Sequence, residues 1–405
     1  MKYNFCKVLI LSALIFSSCA KDESLNITEI TSIAWSKYIR NSYWTLPPSN
    51  SAITEESTLY QLECDTTVFY NIIDQSAVTD NTTPQSEEWV KVKYTGYNMQ
   101  GGVFATRDSL EAVIQQTWTT VTNYNAQTIK IVDQDTEYSD VPEGLLDMFA
   151  NMRVGEKVRA YIPYSSGWGT SGVTFSSGYE GRYSLGYNEN FFMDIELVEI
   201  IPDIEEWEKE QVKNYVAANF QSSWNGIGSD DDLLYYRVIE DEFRGIKLLE
   251  NGVDTTYTSS DLGVEIDDSK TVQIYYSLWT LDGFLVDTNI KSDAVEHWQF
   301  EEYVGFYPAF STASSTDEFV DAIKEVVYEQ GTTLGSQWCE AIFTSAWGYG
   351  DEGLSSSEIK SFEYSDDLLI DIGDDFYWTS YPTAIVELYQ PLRVEFLARV
   401  YVDED

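Results

Sequence analysis

The side chains that carry most enzymatic chemistry are scarce in this sequence. Its 405 residues include one histidine, His297, and four cysteines, Cys6, Cys19, Cys64 and Cys339. A Ser-His-Asp or Cys-His triad would have to be built on His297. That residue lies in the acidic, aromatic stretch AVEHWQFEEY with no nucleophile motif beside it, and it reads as structural. There is no CxxC, no HExxH and no histidine pair, so zinc and iron have no visible ligand set and no cofactor is implied. Cys64 and Cys339 are far apart in the chain. A disulfide between them is open in an oxidising compartment, but two unpaired, buried cysteines is the favoured reading. Paired acids such as Asp366-Asp367 and Asp374-Asp375 lack EF-hand spacing and read as a solvated acidic face. What the chain has in quantity is aromatic surface: 29 tyrosines, 19 phenylalanines and 12 tryptophans. Such side chains supply the walls of apolar pockets.

Cys19 points to a different chemistry. Lys2 and Lys7 form a basic start, Val8 to Phe16 an apolar run, and Ser17 and Ser18 precede the cysteine. This reads as a signal peptide over residues 1–18. A cysteine straight after two small residues resembles a bacterial lipobox, which implies cleavage before Cys19 and acylation of that residue. A plain leader cleaved near Ala20 is the alternative. Two or more acyl chains hold a protein stably at a membrane without a transmembrane helix. The Lys21-Asp22-Glu23 stretch resembles the export signal that carries lipoproteins to the outer face of the outer membrane in a group of Gram-negative bacteria. A charged, solvated tether is the alternative.

Composition limits the partners. The chain has 24 basic and 68 acidic residues, a net charge of −44 and a pI near 4.1. Such a field repels nucleic acid and anionic lipid. With 43% apolar residues, the chain has ample material for buried cores and is not a disordered acidic tail.

Two segments of the sequence repeat. VKVKYTGYNMQGGVF (90–104) aligns with VQIYYSLWTLDGFLVD (272–287), and SSGWG (165–169) with AWGYG (346–350). Tyr94 falls on Tyr276 and Trp168 on Tyr349 at nearly one offset, which indicates a duplicated unit. Each copy opens on a tyrosine-bearing strand, VFYNII (68–73) or LYYRVI (234–239). The paired strands follow, then an amphipathic helix, predicted over 144–156 and again over 317–331. Each closes on a strand, 191–200 or 392–402. This order is an antiparallel sheet wrapped around one short helix, an α+β class. Between the copies, DIEEWEKEQVKNYVAANF (203–220) reads as a connecting helix capped by Asp203 and Glu206, and SSWNGIGSDDD (222–232) as a linker.

The succession V-x-V-x-Y-x-G, G-x-x-F, V-P-x-G-L-L-x-x-F-x-x-M-x-V-G-E-K, I-P, an aromatic-glycine pair and D-I-E-L resembles the FKBP-type peptidyl-prolyl isomerases. The match is nearly complete over residues 65–201 and weaker over 232–405, where long insertions intervene. The resulting layout is a signal peptide (1–18), a tether and N-terminal extension (19–64), a first FKBP-like domain (65–201), a helical linker (202–231) and a second FKBP-like domain (232–405) with an insertion at 351–391. The chemistry implied fits a chain without acid or base groups. Rotation about an X-Pro bond faces a barrier on the order of 20 kcal/mol, set by amide resonance. A dry aromatic pocket with a few oriented donors favours the twisted, less dipolar state.

Carried onto this chain, the resemblance assigns a groove in the first copy to Tyr94, Phe104, Val141, Leu145, Trp168 and Met193. Tyr94 and Phe104 match the family's walls, and Val141 its apolar wall whose backbone meets the ligand. Leu145 replaces a floor tryptophan, Trp168 a ligand-contacting tyrosine, and Met193 a last-strand phenylalanine. Ala105 stands where the family has an aspartate. In the second copy Tyr276, Asp287 and Tyr349 match and Val286 replaces the phenylalanine. The enlarged 351–391 loop, with Phe362, Tyr364, Phe376, Tyr377 and Trp378 among acids, suits a protein contact. The reading that follows is an outer-membrane lipoprotein facing the cell exterior and acting as an isomerase or chaperone on proline-containing polypeptides. The rival is a non-catalytic subunit of an outer-membrane complex, such as one assembling barrel proteins. Glycan capture by the aromatics ranks last.

Overall fold

The computed structural model describes residues 57–116, 122–133, 139–177, 181–218, 224–227, 233–239, 247–250, 253–256, 271–288, 309–311, 338–348, 360–361, 380–381 and 389–400, with isolated positions that include Ile39, Trp118, Asp293, His297, Ala322 and Gly350. Residues 1–18, read as a leader, lie outside them, as do Cys19, Tyr349 and most of the 351–391 stretch read as an insertion.

The first part of the chain runs β1 (Tyr60–Gln61), β2 (Phe69–Asp74), β3 (Trp89–Asn98), β4 (Val103–Thr106), α1 (Ser109–Ile114), β5 (Gln127–Lys130), α2 (Glu143–Ala150), β6 (Lys157–Ile162), β7 (Val173–Ser177), β8 (Gly181–Leu185) and β9 (Phe191–Ile201). Seven of these strands form one antiparallel sheet in the order β1-β2-β6-β9-β3-β4, with β5 also on β3. β7 and β8 form a separate hairpin. Alternation along β6 explains how both faces are used. Val158, Ala160 and Ile162 point into the core, while Arg159 and Tyr161 point away from it. On the inner face α2 buries Leu145, Leu146, Met148 and Phe149 against Val90, Val92, Ile195 and Leu197. On the outer face Phe69, Tyr97, Tyr161 and Phe192 cluster with Ile39 of the N-terminal extension. Arg159 is buried on that face too and forks onto Asp194 at 2.6 and 2.7 Å.

The helix expected over 144–156 ends earlier, at Ala150 with Asn151 as its C-cap. The reason lies in the turn that follows. Gly155 adopts φ +85, and its N–H donates to Leu197 O of β9 at 2.8 Å, so this segment is already tied to the sheet. Met152 remains on the predicted apolar stripe and is fully buried beyond the helix end.

The second part runs α3 (Ile204–Ala218), β10 (Asn225–Ile227), β11 (Leu234–Ile239), β12 (Lys247–Glu250), β13 (Val253–Thr256), β14 (Thr271–Thr280), β15 (Leu285–Thr288), β16 (Ala309–Ser311), β17 (Trp338–Phe343), β18 (Lys360–Ser361), β19 (Ser380–Tyr381) and β20 (Leu392–Val400). Its main sheet has the order β10-β11-β17-β20-β14-β15, with β16 on β14. Strand for strand this is the arrangement of the first sheet. Ala322, Ile323, Val326 and Val327, from the stretch expected to be helical, pack in its core. The expected linker span supplies β10, which pairs with β11 as β1 pairs with β2.

The matching extends to single hydrogen bonds. Gly101 and Gly283 have φ +87 and +89, and each N–H donates to the carbonyl of Asn98 or Thr280. Both β3 and β14 carry a bulge against the next strand, between Gly96 and Tyr97 and between Leu278 and Trp279. Helix α3 starts at the predicted cap, with Glu206 N–H donating to Asp203 Oδ1 at 3.1 Å. Its Ile204 and Trp207 pack with Trp89 and Ile201 of the first sheet. Val212, Tyr215 and Val216 pack with Leu233 and Ile342 of the second. Among the described residues no helix is long and apolar enough to cross a membrane.

Candidate functional site

The first-sheet site sits where β3, β4, β6 and β9 meet α2 and the loop before it. Phe104, Leu145 and Met193 are buried, and they form a floor that belongs to the hydrophobic core. Tyr94, Val141 and Trp168 are half-buried and pack on the edge of that core. All six residues named from the sequence thus belong to one core cluster, three inside it and three at its edge. Phe191, which the sequence reading did not name, completes the aromatic set. Phe104 meets Trp168 and Phe191 edge-on, with centroids 5.9 and 5.5 Å apart, and Trp168 lies 5.0 Å from Phe191. Its signal was present in sequence as the first residue of the last strand, but an apolar residue there is equally a core residue.

Local chemistry holds the rim in place. The Gly169 turn, at φ +58, closes by an N–H to Tyr164 O bond of 2.9 Å. This projects Trp168 across the floor. The Trp168 indole N–H donates to Asp140 O at 3.3 Å, and the Val141 N–H donates to Ser139 Oγ at 3.1 Å. Both donors that the resemblance would offer to a ligand are thus engaged within the loop that precedes α2. The Tyr94 hydroxyl donates to Gln127 Oε1 of β5 at 2.7 Å. Gln127 is a residue that sequence reasoning missed, because it comes from a different strand.

The second-sheet site differs. Tyr276 and Val286 are buried in the core, and Asp287 is buried beside them. The Tyr276 hydroxyl donates to Asp287 Oδ2 at 2.7 Å, and Thr288 N–H donates to Asp287 Oδ1 at 2.9 Å. Ser277 Oγ donates to Asp293 Oδ2 at 2.5 Å and pairs with Thr288 Oγ1 at 2.7 Å. Tyr349, the fourth residue named for this site, lies outside the described residues. The turn that leads to it, Ser345–Trp347, is followed by Gly350 at φ +58, the same conformation as Gly169.

His297 stands edge-on to Trp279, with ring centroids 4.7 Å apart. Cys64 and Cys339 are not joined in a disulfide. Cys339 is buried as expected and its thiol is pushed up to about 12 by desolvation. Cys64, expected to be buried, is exposed in the turn between β1 and β2, near Asn151. Among the described residues no group of three or more metal-ligating side chains is gathered.

No family model matches the chain, and no curated protein matches it. Solved structures do. The three FKBP domains of wheat FKBP73 align over 85% of this chain and 99% of that chain, with 14% identity and a TM-score of 0.26. FkpA from Escherichia coli aligns over 49% of this chain and 71% of that one, with 15% identity and a TM-score of 0.27. A peptidyl-prolyl cis-trans isomerase from Pseudomonas syringae pv. tomato aligns over 45% of this chain and 99% of that one, with 15% identity and a TM-score of 0.26.

Proposed function

We propose that the chain is a lipid-anchored outer-membrane protein of the FKBP type. In this reading its first unit binds proline-containing polypeptides in the groove between Tyr94 and Trp168 and catalyses their cis-trans isomerisation. The observation that supports this is that Phe104, Leu145 and Met193 lie buried in one core, that Tyr94, Val141 and Trp168 pack half-buried against it, and that the Trp168 ring meets Phe104 at 5.9 Å. Such a surface desolvates an X-Pro bond without needing an acid, base or metal. Lipidation at Cys19 and exposure on the cell exterior rest on the leader and the Lys21-Asp22-Glu23 stretch. Metabolic acyl labelling lost in Cys19→Ser, and protease sensitivity on intact cells, test them.

The experiment for the activity is a prolyl-isomerisation assay on the mature chain, with peptides varied at the residue before proline. Acceleration that falls in Phe104→Ala and Tyr94→Ala, with both variants folded, supports the reading. Absence of any acceleration from folded wild-type chain sinks it. A second reading has its own observation: the Trp168 and Val141 N–H groups are bonded internally. A groove whose donors are already satisfied suits a non-catalytic binding subunit. Proline-peptide binding without rate acceleration identifies that case.

A further inference from the structure

The two sheets solve one local problem in two ways. Tyr94 of β3 faces Ile195 of the closing strand, and Tyr276 of β14 faces Phe396 of its counterpart. Across the bulged hairpins, Ala105 stands opposite Gly96 and Asp287 opposite Leu278. Ala105 and Asp287 are therefore one position in two copies. In the second copy that position supplies the acceptor for the tyrosine hydroxyl, a buried carboxylate at 2.7 Å. In the first copy a methyl group stands there and accepts nothing.

The Tyr94 hydroxyl turns instead to Gln127, at 2.7 Å. Gln127 opens β5 directly opposite Val92, which is two residues before Tyr94 and on the same face of β3. It therefore lies diagonal to Tyr94, within reach of a long side chain. The two tyrosines thus bond to acceptors taken from different strands, Tyr94 to Gln127 of β5 and Tyr276 to Asp287 of β15.

We infer that Gln127 is the positioning residue of the first groove and gives it an amide acceptor where the second site has a buried carboxyl group. This rests on the function proposed above. The amide oxygen fixes the Tyr94 hydroxyl, and the same amide brings N–H donors to the rim that a carboxylate lacks. A neutral groove accepts an acidic residue beside the proline; a carboxylate in a poorly screened site repels it.

The test uses the full mature chain and its Gln127→Leu, Gln127→Glu and Gln127→Leu/Ala105→Asp variants. Isomerisation is measured on peptides with leucine, lysine or glutamate before proline. Side-chain amide resonances of Gln127 are followed by NMR, with Tyr94→Phe as the reporter of the contact. Gln127→Leu is expected to lower kcat/KM about five- to tenfold, the size of one lost neutral hydrogen bond. Adding Ala105→Asp restores the leucine and lysine peptides but not the glutamate peptide, and Gln127→Glu penalises the glutamate peptide selectively. Equal losses on all three peptides that Ala105→Asp does not rescue, or no loss in Gln127→Leu, overturn the inference. A wild-type chain that accelerates no peptide overturns the isomerase reading instead. The inference is then decided by peptide binding and the amide resonances. Unshifted Gln127 signals in Tyr94→Phe, or binding indifferent to Gln127→Leu, overturn it.

Discussion

At the scale of single residues, the groove depends on close approaches that the sequence hints at without explaining. Gly96 is the glycine of V-x-V-x-Y-x-G, and it pairs with both Ala105 and Met193. A Cβ built there would fall 2.6 Å from Phe104 Cζ and 3.0 Å from Met193 Cε. The Phe104 ring has little freedom to retreat, because Phe191 and Trp168 stand edge-on to it. Gly96→Ala is therefore expected to destabilise the first unit by about 1–3 kcal/mol, the usual size of an overpacked core. Adding Phe104→Leu should recover most of that loss. Urea unfolding of the three proteins checks it, and an unchanged midpoint in Gly96→Ala would show that the wall yields freely. The V-x-V-x-Y-x-G motif contains this glycine, and the resemblance assigns the six groove residues. It also marks Ala105 as replacing an acid. It gives no means of finding Gln127, because a hydrogen bond across 33 residues between different strands leaves no periodic trace.

At the scale of elements, helix α3 shows where sequence patterns inform and where they mislead. Its start was legible from Asp203 and Glu206, and its length from the apolar spacing of Val212, Tyr215 and Val216. Glu208 lies one turn before Val212, on that same stripe, and an acid there would ordinarily be assigned to solvent. The structure buries it. Its carboxylate accepts from the backbone N–H of Ser345, and from Ser345 Oγ at 2.9 Å. It thereby holds the turn that leads to the second site. Desolvation raises its pKa from the ordinary 4.5 to about 7, against the two Ser345 hydrogen bonds that lower it; Glu205 raises it slightly and Lys209 lowers it. The sign follows from proton binding. Between these values the native chain holds a proton that the unfolded chain has released, so the stabilisation is present below about 4.5 and is lost as pH rises to about 7. The slope from one such group is at most about 1.4 kcal/mol per pH unit. Glu208→Gln keeps an acceptor for Ser345 and cannot ionise. Urea midpoints measured at half-unit steps from pH 5 to pH 8 should fall in wild type and stay flatter in the variant. Parallel curves would place the pH dependence elsewhere.

At the scale of the whole molecule, the duplication was legible and the covering of the sheets was not. Tyrosine, glycine and aromatic landmarks at nearly one offset signal two copies, because hairpin turns and bulges need particular residues at particular steps. The outer faces followed no such rule. One carries an apolar cluster with Ile39 beside the Arg159–Asp194 pair, and the other sets Arg237, Arg393, Glu340 and Glu395 beside an apolar contact of Ile342 with Val212 of α3. Strong internal pairing uses few of the charges, since 68 acids face 24 bases. Folding brings the surplus acids together, and their repulsion opposes the compact state more than the expanded one. Added salt screens exposed charges beyond about 10 Å at 0.1 M while leaving buried pairs such as Arg159 with Asp194 much less affected. Net stability is therefore expected to rise with ionic strength, despite the ion pairs within each sheet. Thermal unfolding of the mature chain from about 10 to 200 mM sodium chloride, a range in which screening changes steeply, reads this directly. A rising Tm shows that surplus repulsion dominates. A falling Tm would mean that the arginine-carboxylate clusters outweigh it, and that the acids are spread far enough apart to leave one another undisturbed.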